Sequence, residues 1–173
     1  MDYAAIVRRL EAFPPVLAGL VRMVDEGDAR WKPPSGAWSI LEIVCHLADE
    51  EVEDFRARLR TMLENPGASW PATDPEGWAW DRNYNQHDLG QTLARFTRER
   101  TERVRWLRSL KDPDWQVTIV RPSRSVRAGD LLISWPAHDA LHIRQIAKRM
   151  FEMAGEAGNP AGFDTEYAGE WGA

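Results

Sequence analysis

The sequence predicts an all-α protein, a four-helix bundle with one long connection between its second and third helices. Three observations carry this reading. Apolar residues recur at helical spacing over four long stretches, capping signals precede two of them, and no set of alternating segments supports a sheet. Four amphipathic helices must each cover an apolar stripe, and packing around one core is the simplest way to do so. A length of 173 residues suits one domain that buries such a core without staples.

Helix one is expected over residues 2–25, on the stripe Ile6, Leu10, Phe13, Leu17, Leu20, Val21 and Val24, with a kink at Pro14-Pro15. Lys32 to Gly36 reads as a turn. Ser39 and Glu42 then match a capping box, in which the Ser oxygen and the Glu carboxylate each satisfy a backbone amide left free at the helix start. Helix two runs from there to Glu64, where Asn65-Pro66-Gly67 stops it. Residues 66–87 form an irregular connection long enough to cross the bundle, so up-down-up-down wiring is not forced. Asp88 with Gln91 caps helix three, which extends to about residue 110. The stretch 115–120 reads as a short extended piece, too isolated to imply a sheet. Helix four covers 128–153, with Gly155 and Gly158 as terminators and a bend at Pro136, just before His138. The bundle domain is thus 1–155, and the Gly-rich, acidic residues 156–173 form a loosely packed tail.

A net charge of −5 and a pI near 5.4 argue against a nucleic-acid partner, which selects for a basic surface. The single cysteine, Cys45, excludes an internal disulfide and reads as a small core residue suited to a reducing compartment. No basic-then-apolar leader opens the chain, and no run approaches the ~20 apolar residues that span a bilayer. The expectation is a cytoplasmic protein without a membrane partner. Nineteen arginines stand against three lysines, read as a composition bias. Of nine tryptophans, Trp38, Trp106 and Trp135 belong to helical patterns and the core, whereas Trp70, Trp78 and Trp80 cluster in the long connection. That cluster is either a pocket wall or a hydrophobic plug.

Candidate chemistry lies in the histidines. His138 and His142 are one helical turn apart, so both imidazoles can address one metal ion. On a helical wheel they share the core-facing arc with Leu131, Trp135, Ile146, Arg149 and Met153, and Gln145 sits at its edge, placed to bond a ligand histidine or a water. A histidine pair merely satisfied in the core is the rival reading. On helix two the main stripe (Leu41, Val44, Ala48, Val52, Phe55, Leu59, Met62) leaves His46 roughly 160° away, which by periodicity alone is a solvent position. A second strip, Ile43, His46, Leu47 and Glu50, implies that this half of the helix is covered on most sides, by another helix or by a partner subunit. Glu50, one turn from His46, is a candidate extra ligand or general base, or an exposed polar partner. His87 reads as a loop residue.

The run from Trp38 through Ser39, Glu42 and His46-Leu47 to Glu50, followed some ninety residues later by His138-x-x-x-His142-x-x-Gln145, resembles the two signature helices of the DinB/YfiT-like superfamily. The resemblance implies a four-helix bundle with a divalent metal, Zn or Ni, held by His46, His138 and His142. It also implies kinship with thiol-dependent enzymes, among them S-transferases that use bacillithiol or related low-molecular-weight thiols and a mycothiol-dependent isomerase. A small-molecule substrate follows, with Glu50 and Gln145 as candidate catalytic groups beside the metal.

Two other classes compete. His138-Asp139-x-x-His142 has the spacing of the H-E-x-x-H zinc hydrolases with Asp for Glu, but downstream only Glu156, Glu166 and Glu170 are available as a third ligand. A non-catalytic metal-binding stress protein would need a site closed by four ligands, and no such set stands out. The second strip on helix two and the surplus of tryptophan lead to the expectation of a homodimer.

Overall fold

The computed structural model describes residues 1–70, 72–120 and 125–172. Four long helical arms form the bundle: α1 (Tyr3–Val21), α3 (Ile40–Glu53) continued by α4 (Phe55–Glu64), α6 (Leu89–Ser109) and α7 (Ala128–Gly158). The shorter α2 (Glu26–Arg30) and α5 (Pro75–Asp81) lie in the connections. No helix is long and apolar enough to cross a membrane.

Contacts between side chains fix the wiring. Tyr3 reaches the carbonyl of Leu107, Leu10 meets Arg100, and Phe13 packs edge-on against Phe96, so α1 and α6 are antiparallel. Cys45 faces Thr92 while Glu51 faces Arg100, so α3 and α6 run parallel. His46 and Phe55 both meet His138, and Trp135 donates to Glu51, so α3 and α7 are antiparallel. The order is therefore up, down, down, up. Parallel neighbours cannot be joined by a tight turn, and the long connection between α4 and α6 is the crossover this arrangement demands.

That connection is more ordered than the sequence suggests. Asp74 caps α5 through Gly77 with Pro75 in its first turn, and a single 3-10 turn follows at Tyr84–Gln86. Between them Asn83 adopts a left-handed conformation (φ 50°, ψ 49°), which Asn tolerates and which turns Tyr84 into the core. There the Tyr84 hydroxyl donates to Asp49.

Other boundaries differ from expectation. Helix two is not continuous. At Asp54 (φ −116°, ψ −93°) the backbone leaves helical geometry although no Pro or Gly is present, and the bend turns Phe55 onto Trp135, stacked at 5.4 Å. Helix one ends at Val21, with α2 a separate element capped by Asp25. The stretch 118–120 is a true strand, β1 (Thr118–Val120), paired antiparallel with β2 (Ser125–Arg127). Helix α7 continues to Gly158, past the expected end at Met153.

Pro14 and Pro15 lie inside α1 without ending it. A proline at position 14 has no N–H for the carbonyl of Leu10, and that freed carbonyl accepts from Arg100 Nη1 at 3.2 Å. Arg100, 1% exposed, also makes a two-pronged contact with Asp139 at 2.8 Å for each bond and reaches Glu51 at 2.7 Å. Its guanidinium thus touches all four arms of the bundle, with the rings of Phe13, Phe96 and Trp135 around it. The arginine excess is therefore partly chemical. Arg82 and Arg95 converge on buried Asp49, and Arg103 bonds the carbonyl of Glu51.

Every residue of α3 from Ile40 to Glu51 is buried. The second strip on this helix is covered within the chain by α6, α7 and the crossover, so it does not call for a partner subunit. Trp135 is buried, and Trp38 and Trp106 are partly buried against the core. Beyond α7 the chain is largely exposed, with Trp171 resting on Phe151.

Removing Arg100 leaves two buried carboxylates without their cation. Arg100→Met is expected to lower unfolding stability by about 3–5 kcal/mol in urea titrations. Arg108→Met, which breaks an exposed pair with Glu11, is expected to change it by about 1 kcal/mol or less. Equal effects would remove Arg100 from its central role.

Candidate metal centre

The three histidines are brought to one point. His46 projects from α3, and His138 and His142 project from successive turns of α7. One ring nitrogen from each lies within 4.8 Å of those of the other two. His138 Nε2 stands 3.1 Å from His142 Nε2 and 3.4 Å from His46 Nε2. The wheel places His46 toward solvent, yet it is 4% exposed, because α3 is enclosed on every side and its periodicity carries no inside-outside information.

The charge state suits a ligand set. Burial first, then the neighbouring imidazoles, pulls His46 down to about 2. Burial, then His142 and Arg100, pulls His138 down to about 3. Burial also lowers His142, with the Gln145 hydrogen bond opposing. All three are neutral at pH 7, the form that donates a lone pair.

Protons alone do not satisfy this cluster. His142 Nδ1–H donates to Gln145 Oε1 at 2.7 Å, which leaves its Nε2 as a lone pair facing His138. A single proton on His138 Nε2 can then serve only one of its two close neighbours. His46 Nδ1 is buried without a hydrogen-bond partner, and Glu50 Oε1 stays 3.8 Å from it. Metal–nitrogen bonds of about 2.0–2.1 Å in a tetrahedral arrangement set ligand nitrogens about 3.3 Å apart. The observed separations fit that spacing.

The cluster forms the floor of a cavity of about 1690 Å³. Glu50 also lines it, and burial, then the adjacent Asp54 carboxyl, pushes Glu50 up to about 8. Aromatic rings complete the setting. Trp38 lies 4.9 Å from His46 and Phe55 lies 5.2 Å from His138. Trp70 and Trp80 are part of the cavity wall, while Trp78 packs on the core beneath Arg82. The connection's tryptophans thus divide between wall and plug.

Three other residues were candidates or bystanders in the sequence. Asp139, which stands where the H-E-x-x-H base would, is turned away from the cavity and held by Arg100, so it cannot serve as that base. Cys45 is buried, donates weakly to the Tyr84 carbonyl, and is pushed up to about 12 by burial. His87 ends the 3-10 turn and points its Nδ1 at Cys45, 3.6 Å away, remote from the cluster. Sequence patterns missed Phe55 and Arg100 as neighbours of the site, since both depend on how α4 and α6 meet α7.

A crossover-wired helical bundle that gathers three neutral imidazoles under an open cavity defines the class. The chain belongs to the DinB superfamily, which it matches over residues 9–146. Its fold is similar to that of YfiT from Bacillus subtilis, with a TM-score of 0.78, 19% identity and 88% of each chain covered. YfiT is described as a probable metal-dependent hydrolase with an unusual four-helix bundle topology. No curated protein matches the sequence.

Cys45 is expected to react with a thiol reagent only when the chain unfolds. Modification of native protein at the rate of the urea-unfolded chain would contradict its burial.

Proposed function

We propose that this chain is a metal-dependent enzyme that transfers a low-molecular-weight thiol onto an electrophilic small molecule. The observation that carries this reading is the convergence of the three Nε2 atoms on the floor of a cavity of about 1690 Å³. Sites for one drug-sized ligand commonly measure about 300–1,000 Å³, so this volume suits two co-substrates.

His46, His138 and His142 would hold a Zn or Ni ion, leaving at least one coordination position open to the cavity. When bound, such an ion supplies Lewis acidity that lowers the pKa of a thiol or a water beside it. Gln145 positions His142 by fixing its tautomer. Glu50, on the cavity wall one turn from His46, is placed to take the thiol proton. Sulfur then forms the new bond to the electrophilic carbon, whose leaving group departs with the electron pair. The apolar rings of Trp38 and Phe55 keep this corner dry.

Hydrolysis is the second reading, favoured by the description of YfiT and by the same Glu50, which could equally accept a proton from water. A non-catalytic metal-binding role is the third outcome of the tests below.

Purified protein is expected to carry about one divalent transition metal per chain by elemental analysis, and each of His46→Ala, His138→Ala and His142→Ala is expected to lose it. Metal retained in His142→Ala would sink the assignment. Gln145→Leu is expected to weaken metal affinity by about 10- to 100-fold without unfolding the bundle. For the reaction, metal-loaded protein is mixed with a haloaromatic electrophile and a panel of bacillithiol, mycothiol, glutathione and cysteine. Conjugation that requires both the metal and one particular thiol is the expected result. Ester or amide cleavage without thiol selects the hydrolase, and neither activity with metal still bound selects the binding role.

A further inference from the structure

We propose that Arg149 anchors a carboxylate of the small molecule that occupies the cavity, about two helical turns from the histidine cluster. This rests on the cavity being the substrate site of the reaction above, and adds the chemical class of ligand it takes.

Arg149 is 6% exposed and lines the cavity. Among the described residues its one ion partner is Glu152, whose Oε2 lies 2.9 Å from Nη1. That contact is close enough for charge attraction but off the line of a hydrogen bond, and both Nε and Nη1 are buried without a hydrogen-bond partner. Glu152 is also shared with Lys148 at 3.8 Å, so two cations meet one carboxylate and positive charge is left over. A buried guanidinium in this state lacks the acceptors that would offset its desolvation. With Nε and Nη1 enclosed by the protein, Nη2 is the nitrogen left to the cavity, and a ligand carboxylate there supplies the missing acceptor and the counter-charge. The other lysine and arginine of the cavity wall are already engaged. Lys32 donates to Glu42 at 2.8 Å, and Arg58 donates to Thr73 at 2.6 Å and pairs with Asp54 at 3.0 Å.

Position sets the length of the ligand. Arg149 lies seven residues beyond His142 on the same face of α7, about 10 Å along the axis at about 1.5 Å per residue. A ligand that reacts at the histidines and rests on Arg149 therefore carries its carboxylate well away from the reacting atom. Cysteine is too short to bridge the two points.

The test compares ω-mercaptohexanoate, ω-mercaptohexanol and hexanoate by calorimetric titration, with protein loaded with Zn and with protein in EDTA. The mercapto acid is expected to bind at least about tenfold more tightly than the mercapto alcohol in both states. Arg149→Gln is expected to abolish that preference, Arg149→Lys to keep part of it, and Glu152→Gln to keep or increase it. Equal affinity for acid and alcohol in the wild type overturns the proposal, as does a preference that survives in Arg149→Gln. Thermal melts check folding, and if Arg149→Gln does not fold, the wild-type comparison and Arg149→Lys decide. With Zn, mercaptohexanoate binding more tightly than hexanoate places the carboxylate on the thiol, and equal binding places it on the electrophile; both keep the anchor. Loss of conjugation with the acid preference intact removes the transferase reading alone, whereas conjugation without the preference removes the anchor alone.

Discussion

The bundle is organised around the Arg100 guanidinium. Four of its five N–H donors are used, on Leu10 of α1, Glu51 of α3 and both oxygens of Asp139 on α7, while Arg100 itself belongs to α6. Burial pushes Glu51 and Asp139 above the usual carboxylate range, and Arg100 pulls both back. Such a network adds little net stability over a well-packed apolar core, yet it tolerates only one arrangement, because any slip strands a buried charge. It sets the register of all four arms at once. The proline at position 14 belongs to the same device, since without it the Leu10 carbonyl would be spent within α1.

That register is what assembles the site. Asp49, Glu50 and Glu51 follow one another on α3 and, at about 100° per residue, radiate in three directions. Asp49 goes to Arg82, Arg95 and Tyr84, Glu50 faces the cavity, and Glu51 goes to Arg100 and Trp135. Likewise Asp139 is locked to Arg100 while its neighbour His138 points into the cavity. Glu50 and His138 therefore each sit beside a residue tied down on another face, while His142 is held by its own bond to Gln145. The crossover contributes part of the remaining wall, so the wiring that looks like a topological oddity also helps to shape the cavity that the histidines line.

Much of this was legible in the chain. The capping box of Ser39 and Glu42, the Asp88 cap and the i, i+4 pair His138 and His142 depend on neighbours within one helical turn, and all stand where the pattern puts them. The three-histidine cluster was legible through family resemblance for His46 and through spacing for the other two. The burial of Asp49 and Glu51 was not legible, because the arginines that pair with them, Arg82, Arg95 and Arg100, are distant in sequence. The bend at Asp54, with no breaker residue to announce it, was not legible at all.

By itself the sequence determined the four amphipathic arms, their starts, and the histidine pair on α7, because periodicity and capping are short-range properties of the chain. Only the tertiary structure decided that α3 and α6 run parallel, that every face of α3 from Ile40 to Glu51 is inside, and that His46 meets His138 across 92 positions. Once a helix is surrounded, its sequence no longer distinguishes in from out. The partners that neutralise its charges come from other arms, and their identity follows from how the arms pack rather than from any local pattern.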